Sequence, residues 1–218
     1  MWTLAFDTTT DFCSVILLKD NVTQRIFSAE MTFGQSEVLI PEIENTLKQS
    51  GICANDLDLL VVCTGPGSFT GVRSSISAAR AFGLALPHLT LCGVSAFDAY
   101  AYDLKDYQRE ERIAVVIETK RDDFYIAYYD QNLNRIDKPR AAFYDEIIKD
   151  LKGHPVTFAG NGAERFLLRP SGLHVHDASF QTHPSVEQLA LIGINRFVAK
   201  KADFPKPLYL KAADVCVK

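Results

Sequence analysis

LLVVCTGPGSFTGVRSSISAARAFGLAL, Leu59–Leu86, decides the reading of this chain. Leu59–Cys63 is an unbroken apolar run, the pattern of a strand buried on both faces of a mixed or parallel sheet. Thr64-Gly65-Pro66-Gly67-Ser68 follows as a turn. Two glycines free the backbone, and the proline fixes its own φ. Ser68 or Thr70 is placed to cap the next helix, whose N-terminus presents N–H groups to an anion or to a partner's backbone. On that helix Gly71, Ser75, Ala78, Phe82 and Ala85 share one stripe. Val72, Ile76, Ala79, Gly83 and Leu86 share the next. The small and apolar arc is too wide for one contact. Each interior glycine costs about 1 kcal/mol relative to alanine. Two readings fit: burial between sheet and helix of the same chain, or close approach by a partner's helix.

The rest of the first half is built around that unit. Trp2–Phe6, Phe12–Leu18 and Val22–Met31 read as an antiparallel meander, with Val22, Ile26 and Phe27 facing inward. A helix capped by Ser36 runs to Gln49 on the stripe Leu39, Ile40, Ile43 and Leu47, bent or delayed by Pro41. Leu89–Val94 is a strand, and Ser95-x-x-Asp98 is a capping box opening a helix to about Tyr102. Asp103–Arg112, with seven charged residues in ten, reads as a hinge between lobes.

The second half repeats the order. Ile113–Ile117 and Phe124–Tyr129 are strands, and an ungapped overlay puts Glu118 on Asp7 and Thr119 on Thr8. Val156–Ala159 with Gly160-Asn161-Gly162 echoes the central strand and glycine turn. The reading is a duplicated α/β lobe, residues 1–106 and 107–218. A helix covers Tyr144–Leu151, Arg169–Thr182 is irregular, Ser185–Lys200 is a long helix, and Phe204–Leu210 is extended by two prolines.

With 218 residues, 47% hydrophobic and a net charge of −4, the composition is that of a globular chain with no global reason to bind nucleic acid. An RNA role needs a local patch or a basic partner. Five scattered cysteines without CxxC spacing read as apolar residues in a reducing compartment. No signal-peptide pattern or membrane-length apolar run is present, so the expected location is the cytoplasm, without membrane association.

Asp7-Thr8-Thr9-Thr10 at a strand end could hold a phosphate, with Asp7 near magnesium, or could simply close a hairpin as an Asx turn. Asp7, Thr8, Gly65, Gly67, Ser68 and Arg73 are the candidate nucleotide or phosphate contacts. The glycine turn lacks the GK[ST] of a Walker A loop and the spacing of a dinucleotide fingerprint. His174 and His176 have no supporting ligand cluster, so no metal site is expected. Ser68 sits in GSFTG rather than GxSxG, and no histidine and acid are designated to serve it. No catalytic set is assembled.

FDTTTDFCSVIL (6–17), GPGSFTGVRSSISAARAFGLAL (65–86), GVSAFDA (93–99), ETKRDDFYIAYY (118–129) and PLYLK (207–211) resemble the TsaB family, once called YeaZ. The resemblance implies two related actin/hexokinase-like (ASKHA) lobes with mixed sheets flanked by helices. It implies a non-catalytic subunit that pairs directly with TsaD. With the ATPase TsaE, the assembly places threonylcarbamoyl on the adenosine beside the tRNA anticodon, and tRNA is met only indirectly. No cofactor is expected for the chain alone, with ATP or ADP and Mg2+ left to the complex. A homodimer is expected when TsaD is missing. By the same resemblance the partner interface is built from the first two helices, at Leu39, Ile43, Gly71, Ser75, Ala78 and Phe82. Gln35 stands where the family often has histidine before the first helix. The alternatives are an independent ATPase or kinase of the same fold and, more distantly, an M22-type peptidase.

Overall fold

The computed structural model describes residues 1–107 and 112–211. The middle of the charged stretch (108–111) and Cys216 lie outside the described residues. The first sheet is built from β1 (Trp2–Asp7), β2 (Phe12–Lys19), β3 (Val22–Glu30), β4 (Leu59–Cys63) and β5 (Thr90–Val94). The second has β6 (Arg112–Glu118), β7 (Asp123–Tyr129), β8 (Arg140–Phe143), β9 (Val156–Ala159) and β10 (Val175–Ser179). Their orders are β3-β2-β1-β4-β5 and β8-β7-β6-β9-β10, the same arrangement twice. In each, two antiparallel pairings form a meander and two parallel pairings follow through helical crossovers.

The crossovers are α1 (Gln35–Gln49) and α2 (Phe69–Ala85) in the first lobe, and α4 (Tyr144–Leu151) and α5 (Ala163–Leu167) in the second. α3 (Ala96–Tyr102) and α6 (Val186–Val198) close the two halves. The central strands are buried on both sides, and alternate side chains go to different cores. Leu4, Phe6, Leu60 and Val62 pack with Leu39, Ile43 and Ala79 beneath α1 and α2. Ala5, Val61 and Cys63 face the inter-sheet core with Phe97, Leu189 and Val115. Ala114, Val116 and Phe124 meet Ile147 and Phe166 under α4 and α5.

α6 follows the second sheet in sequence but packs on β1, β4 and β5 of the first. The approach is close: a Cβ on Gly193 would stand 2.3 Å from Val61 Cγ2. α3 follows the first sheet and touches both α6 and β6. Each half therefore contributes its last helix to the joint between lobes.

Several local expectations are corrected. Val22 and Ile26 are 62% and 54% exposed, while Phe27 packs toward α1. Gln24 is an extra residue opposite the Leu17–Leu18 step, and this bulge helps re-aim an edge strand. Gly34, at φ 91°, rather than Ser36, precedes α1, and the helix runs through Pro41 without a delayed start. The segment read as irregular contains β10, and β8 and α5 were too short to carry a periodic signal. Of the two cap candidates for α2, Ser68 takes the role, and Ser185 caps α6 in the same way.

Candidate functional site

The glycine turn after β4 meets the β1–β2 turn of its own lobe. Ser68 N–H donates to Thr9 O at 2.7 Å. Thr8 Oγ1 donates to Gly71 O at 2.8 Å and lies 2.6 Å from Ser75 Oγ. A Cβ would stand 2.3 Å from Thr9 O at position 67 and 1.8 Å from Thr8 O at position 71. These two glycines exist to admit the Thr8–Thr9 backbone. The anion-ready space above the turn is thus filled by the chain itself.

Asp7 ends β1 with no exposed surface. Its Oδ1 accepts from Thr9 N at 2.9 Å, while Oδ2 has no hydrogen-bond partner. Burial pushes its pKa up to about 6, with bonds from Thr9 and the Cys63 thiol opposing the rise. Ser68 Oγ accepts from Gly71 N, and Gly65 (φ +86°) lies against Val72. Arg73 turns away: it lies 3.7 Å over the Phe69 ring and donates to Tyr209 OH at 3.0 Å. The expected phosphate contacts Asp7, Thr8, Gly65, Gly67, Ser68 and Arg73 therefore do not converge on one pocket. The Asx-turn reading of Asp7–Thr9 describes the geometry.

The mirrored turn is closed in another way. Glu118 accepts from Arg165 Nε and Nη2 at 2.6 and 2.8 Å, and its N–H donates to Asn161 Oδ1 at 3.0 Å. Lys120 Nζ reaches back to Asp11 at 3.1 Å, linking the two turns through exposed groups worth little on their own. Among the described residues no group of three or more His, Cys, Asp or Glu is arranged to hold a metal.

The proposed docking helices are also rotated from expectation. Leu39 and Ile43 are 1% exposed, and Gly71 and Ser75 are buried against Thr8, so these four face their own lobe. Ala78 and Phe82 are half-buried. The small side chains of α2 that meet solvent are Ser74, Ser77, Ala78, Ala81 and Ala85, so the open stripe keeps Ala78 and Ala85 of the expected one and adds Ser74, Ser77 and Ala81 beside them. Ser36 Oγ and Ser74 Oγ, 2.9 Å apart, pin α1 to α2. Ile40 on α1 and Leu84 on α2 stand 48% and 86% exposed. Arg73 and Arg80, two turns apart on α2, mark a side of the helix that charge keeps out of its own core, and that was the signal for this rotation in the sequence; in the structure they bind the C-terminal segment.

Sequence reasoning missed the hub at Asp98. Its N–H donates to Ser95 Oγ, which is half of the expected capping box. The carboxylate instead accepts from Arg135 at 2.5 Å, Arg196 at 2.9 Å and Tyr129 OH at 2.8 Å. Burial raises its pKa, but the Arg135 charge, the Tyr129 bond and the Arg196 charge outweigh it, so the carboxyl is held below its usual range. Asp98→Ala leaves two guanidiniums without their common anion and is expected to cost about 2 kcal/mol. A urea midpoint that does not move would refute that role. Above the hub lies an open cavity of about 840 Å³.

Comparison with known proteins adds the following. Residues 34–217 match the family model described as "TsaD: tRNA N6-adenosine threonylcarbamoyltransferase". The tRNA threonylcarbamoyladenosine biosynthesis protein TsaB of Escherichia coli K12 is 30% identical, covering 95% of this chain and 94% of its own length. YeaZ from Pseudomonas aeruginosa superposes with a TM-score of 0.82 at 22% identity, covering 96% of this chain and 99% of its own. A Bacteroides thetaiotaomicron protein with an actin-like ATPase fold gives a TM-score of 0.52 at 9% identity, over 88% of this chain and 95% of its own. The two duplicated sheets are thus those of the actin-like fold. No helix among the described residues is long and apolar enough to cross a membrane.

Proposed function

The chain belongs to the TsaB (YeaZ) family, within the wider group described by the TsaD model, and from its place in tRNA threonylcarbamoyladenosine biosynthesis we propose that it is a non-catalytic subunit that binds and activates TsaD. The observation that carries this reading is the solvent face of α1 and α2. Ser74, Ala78, Ala81 and Ala85 form a low-relief track, flanked by Ile40 and Leu84, over which another helix can pass closely. A free chain would hide this track against a second copy of itself. The nucleotide chemistry of the assembly, ATP or ADP with Mg2+, then rests with TsaD and TsaE, because Asp7 and Thr8 here are covered. Such an assembly works in the cytoplasm, where tRNA is modified.

Ala81→Arg and Ala78→Arg test this. Ala81 is exposed, so its variant folds normally. Capture of tagged TsaD is expected to fall more than tenfold in both, with modification of tRNA lost in parallel. Full capture and full modification by both variants would refute the reading. The competing reading, an ATPase or kinase acting alone, predicts tight Mg-ATP binding and turnover by the isolated chain that Asp7→Ala removes.

A further inference from the structure

α1 and α2 carry opposite charge. The charged residues of α1 are Glu37, Glu42, Glu44 and Lys48, and those of α2 are Arg73 and Arg80, with no acid in its 17 residues. Glu37, Ile40 and Glu44 share one exposed face of α1 at i, i+3 and i+7 spacing. Arg73, Ser77 and Arg80 share an exposed face of α2 at i, i+4 and i+7 spacing. Both helices cross between parallel strands of one sheet, so they run in the same direction. The 2.9 Å contact of Ser36 and Ser74 sets their level. At about 1.5 Å per residue, Glu37 then stands level with Arg73, and Glu44 with Arg80, to within about 3 Å. Ile40, Ser74, Ala78 and Ala81 lie between the two rows without charge. Glu42 stands apart, 3.9 Å from Arg25 of β3, and Lys48 comes one turn after Glu44.

The arginines are held, but their charge is not neutralised. Arg73 Nε donates to Tyr209 OH at 3.0 Å, and its guanidinium lies 3.7 Å over the Phe69 ring. Arg80 Nε and Nη2 donate to Pro205 O at 3.3 and 2.8 Å, and its guanidinium lies 5.2 Å over Phe204. Every one of these partners is uncharged, and both arginines stay exposed. The C-terminal segment that holds them is itself fixed, by Gly93 N–H donating to Asp203 O at 2.8 Å and Leu208 N–H to Thr64 O at 2.9 Å. Little side-chain entropy is therefore left to lose when a carboxylate arrives. Across the track, the carboxylates of Glu37 and Glu44 have no hydrogen bond or ion pair among the described residues. A helix that only meets water mixes its signs at i, i+4 spacing, whereas here each sign keeps to one helix.

We infer that these two rows fix which way round the partner's helices lie on the track, and that TsaD meets them with the inverse pattern: carboxylates over Arg73 and Arg80, ammonium or guanidinium groups over Glu37 and Glu44. The inference rests on the subunit reading above and deepens it. The uncharged track lets a helix come close, but it cannot tell one seating from the same seating turned by half a circle. The rows can, because the turned seating sets like charges face to face. Charges flanking an apolar seam select partner and orientation in helical bundles in the same way.

The test is the affinity of the full-length chain for tagged TsaD between about 50 and 500 mM salt. Glu37→Lys/Glu44→Lys/Arg73→Glu/Arg80→Glu inverts the polarity of the face while the net charge stays at −4. It should bind at least about tenfold more weakly than the native chain at the lowest salt, with the gap closing to within about threefold at the highest as the rows are screened. Glu37→Lys/Glu44→Lys changes only exposed side chains that make no bond, so it folds normally. It should lose about threefold or more, again relieved by salt. Arg73→Lys/Arg80→Lys keeps the charge and should stay within about threefold of the native chain. Native affinity in the inverted chain, a loss that salt does not relieve, or an equal loss in the lysine variant would overturn the inference. If Ala81→Arg abolishes capture while the inverted chain binds as the native one does, only the charge inference fails and the subunit reading stands. If the native chain captures no TsaD and pairs only with a second copy of itself, both fail.

Discussion

Gly71→Ala is expected to destabilise the protein by about 3 kcal/mol or more, against the direction that helix propensity alone predicts. In an open helix the change would gain about 1 kcal/mol. Here the added carbon would stand 1.8 Å from the carbonyl oxygen of Thr8. That oxygen belongs to backbone, so no side-chain rotation relieves the overlap. The turn cannot step back without losing the bonds from Ser68 N to Thr9 O and from Thr8 Oγ1 to Gly71 O. For a chain of this size the midpoint of thermal unfolding should drop by about 10 °C. Gly83→Ala is the matched comparison on the same helix, since its new carbon meets only the flexible end of Leu91. If Gly71→Ala is neutral or stabilising in urea unfolding, then the glycine turn does not receive the Thr8 backbone in solution.

Asp7→Asn should act in the opposite sense, stabilising the protein by about 3 kcal/mol at pH 7.5. Burial lifts the Asp7 pKa from 3.8 to about 6, so the folded state holds a proton that the unfolded chain releases earlier. Stability from this group is fully present below pH 3.8 and is lost as pH rises through about 6, where the buried carboxylate must ionise. Asparagine has no such ionisation and keeps an oxygen for Thr9 N–H. The difference between variant and native chain should therefore be near zero at pH 4, grow to pH 6 and stay flat above it. Urea midpoints at pH 4, 5, 6 and 7.5 give the curve. A difference that does not change with pH would show that Asp7 does not titrate in this range.

Much of the fold could be read because double-sided burial leaves a strong mark. Leu59–Cys63 and Ile113–Ile117 have apolar side chains toward two cores, and uninterrupted runs betray central strands. The repeat was legible because the glycine turns recur with their strands, and the identical sheet orders bear it out. The edges were less legible. β3 is open on one side, so Val22 and Ile26 can be exposed without breaking the pattern that suggests burial. The candidate site was least legible of all. A stripe of small residues tells that something comes close, not whether it is a foreign helix or the chain's own turn. Gly71 and Ser75 proved to receive Thr8, and the stripe open to solvent lies beside them. Asp98 satisfied a local capping pattern so well that its distant partners Arg135 and Arg196 left no trace in sequence.

The return of α6 to the first sheet bears on how the protein is made. Val61 and its neighbours on that face wait for Gly193, which leaves the ribosome more than a hundred residues later. Through most of synthesis the nascent first lobe must carry an uncovered greasy surface. A stop codon between residues 180 and 186 would strip the cover from the half that was translated first and leave the second half its sheet and its own two helices.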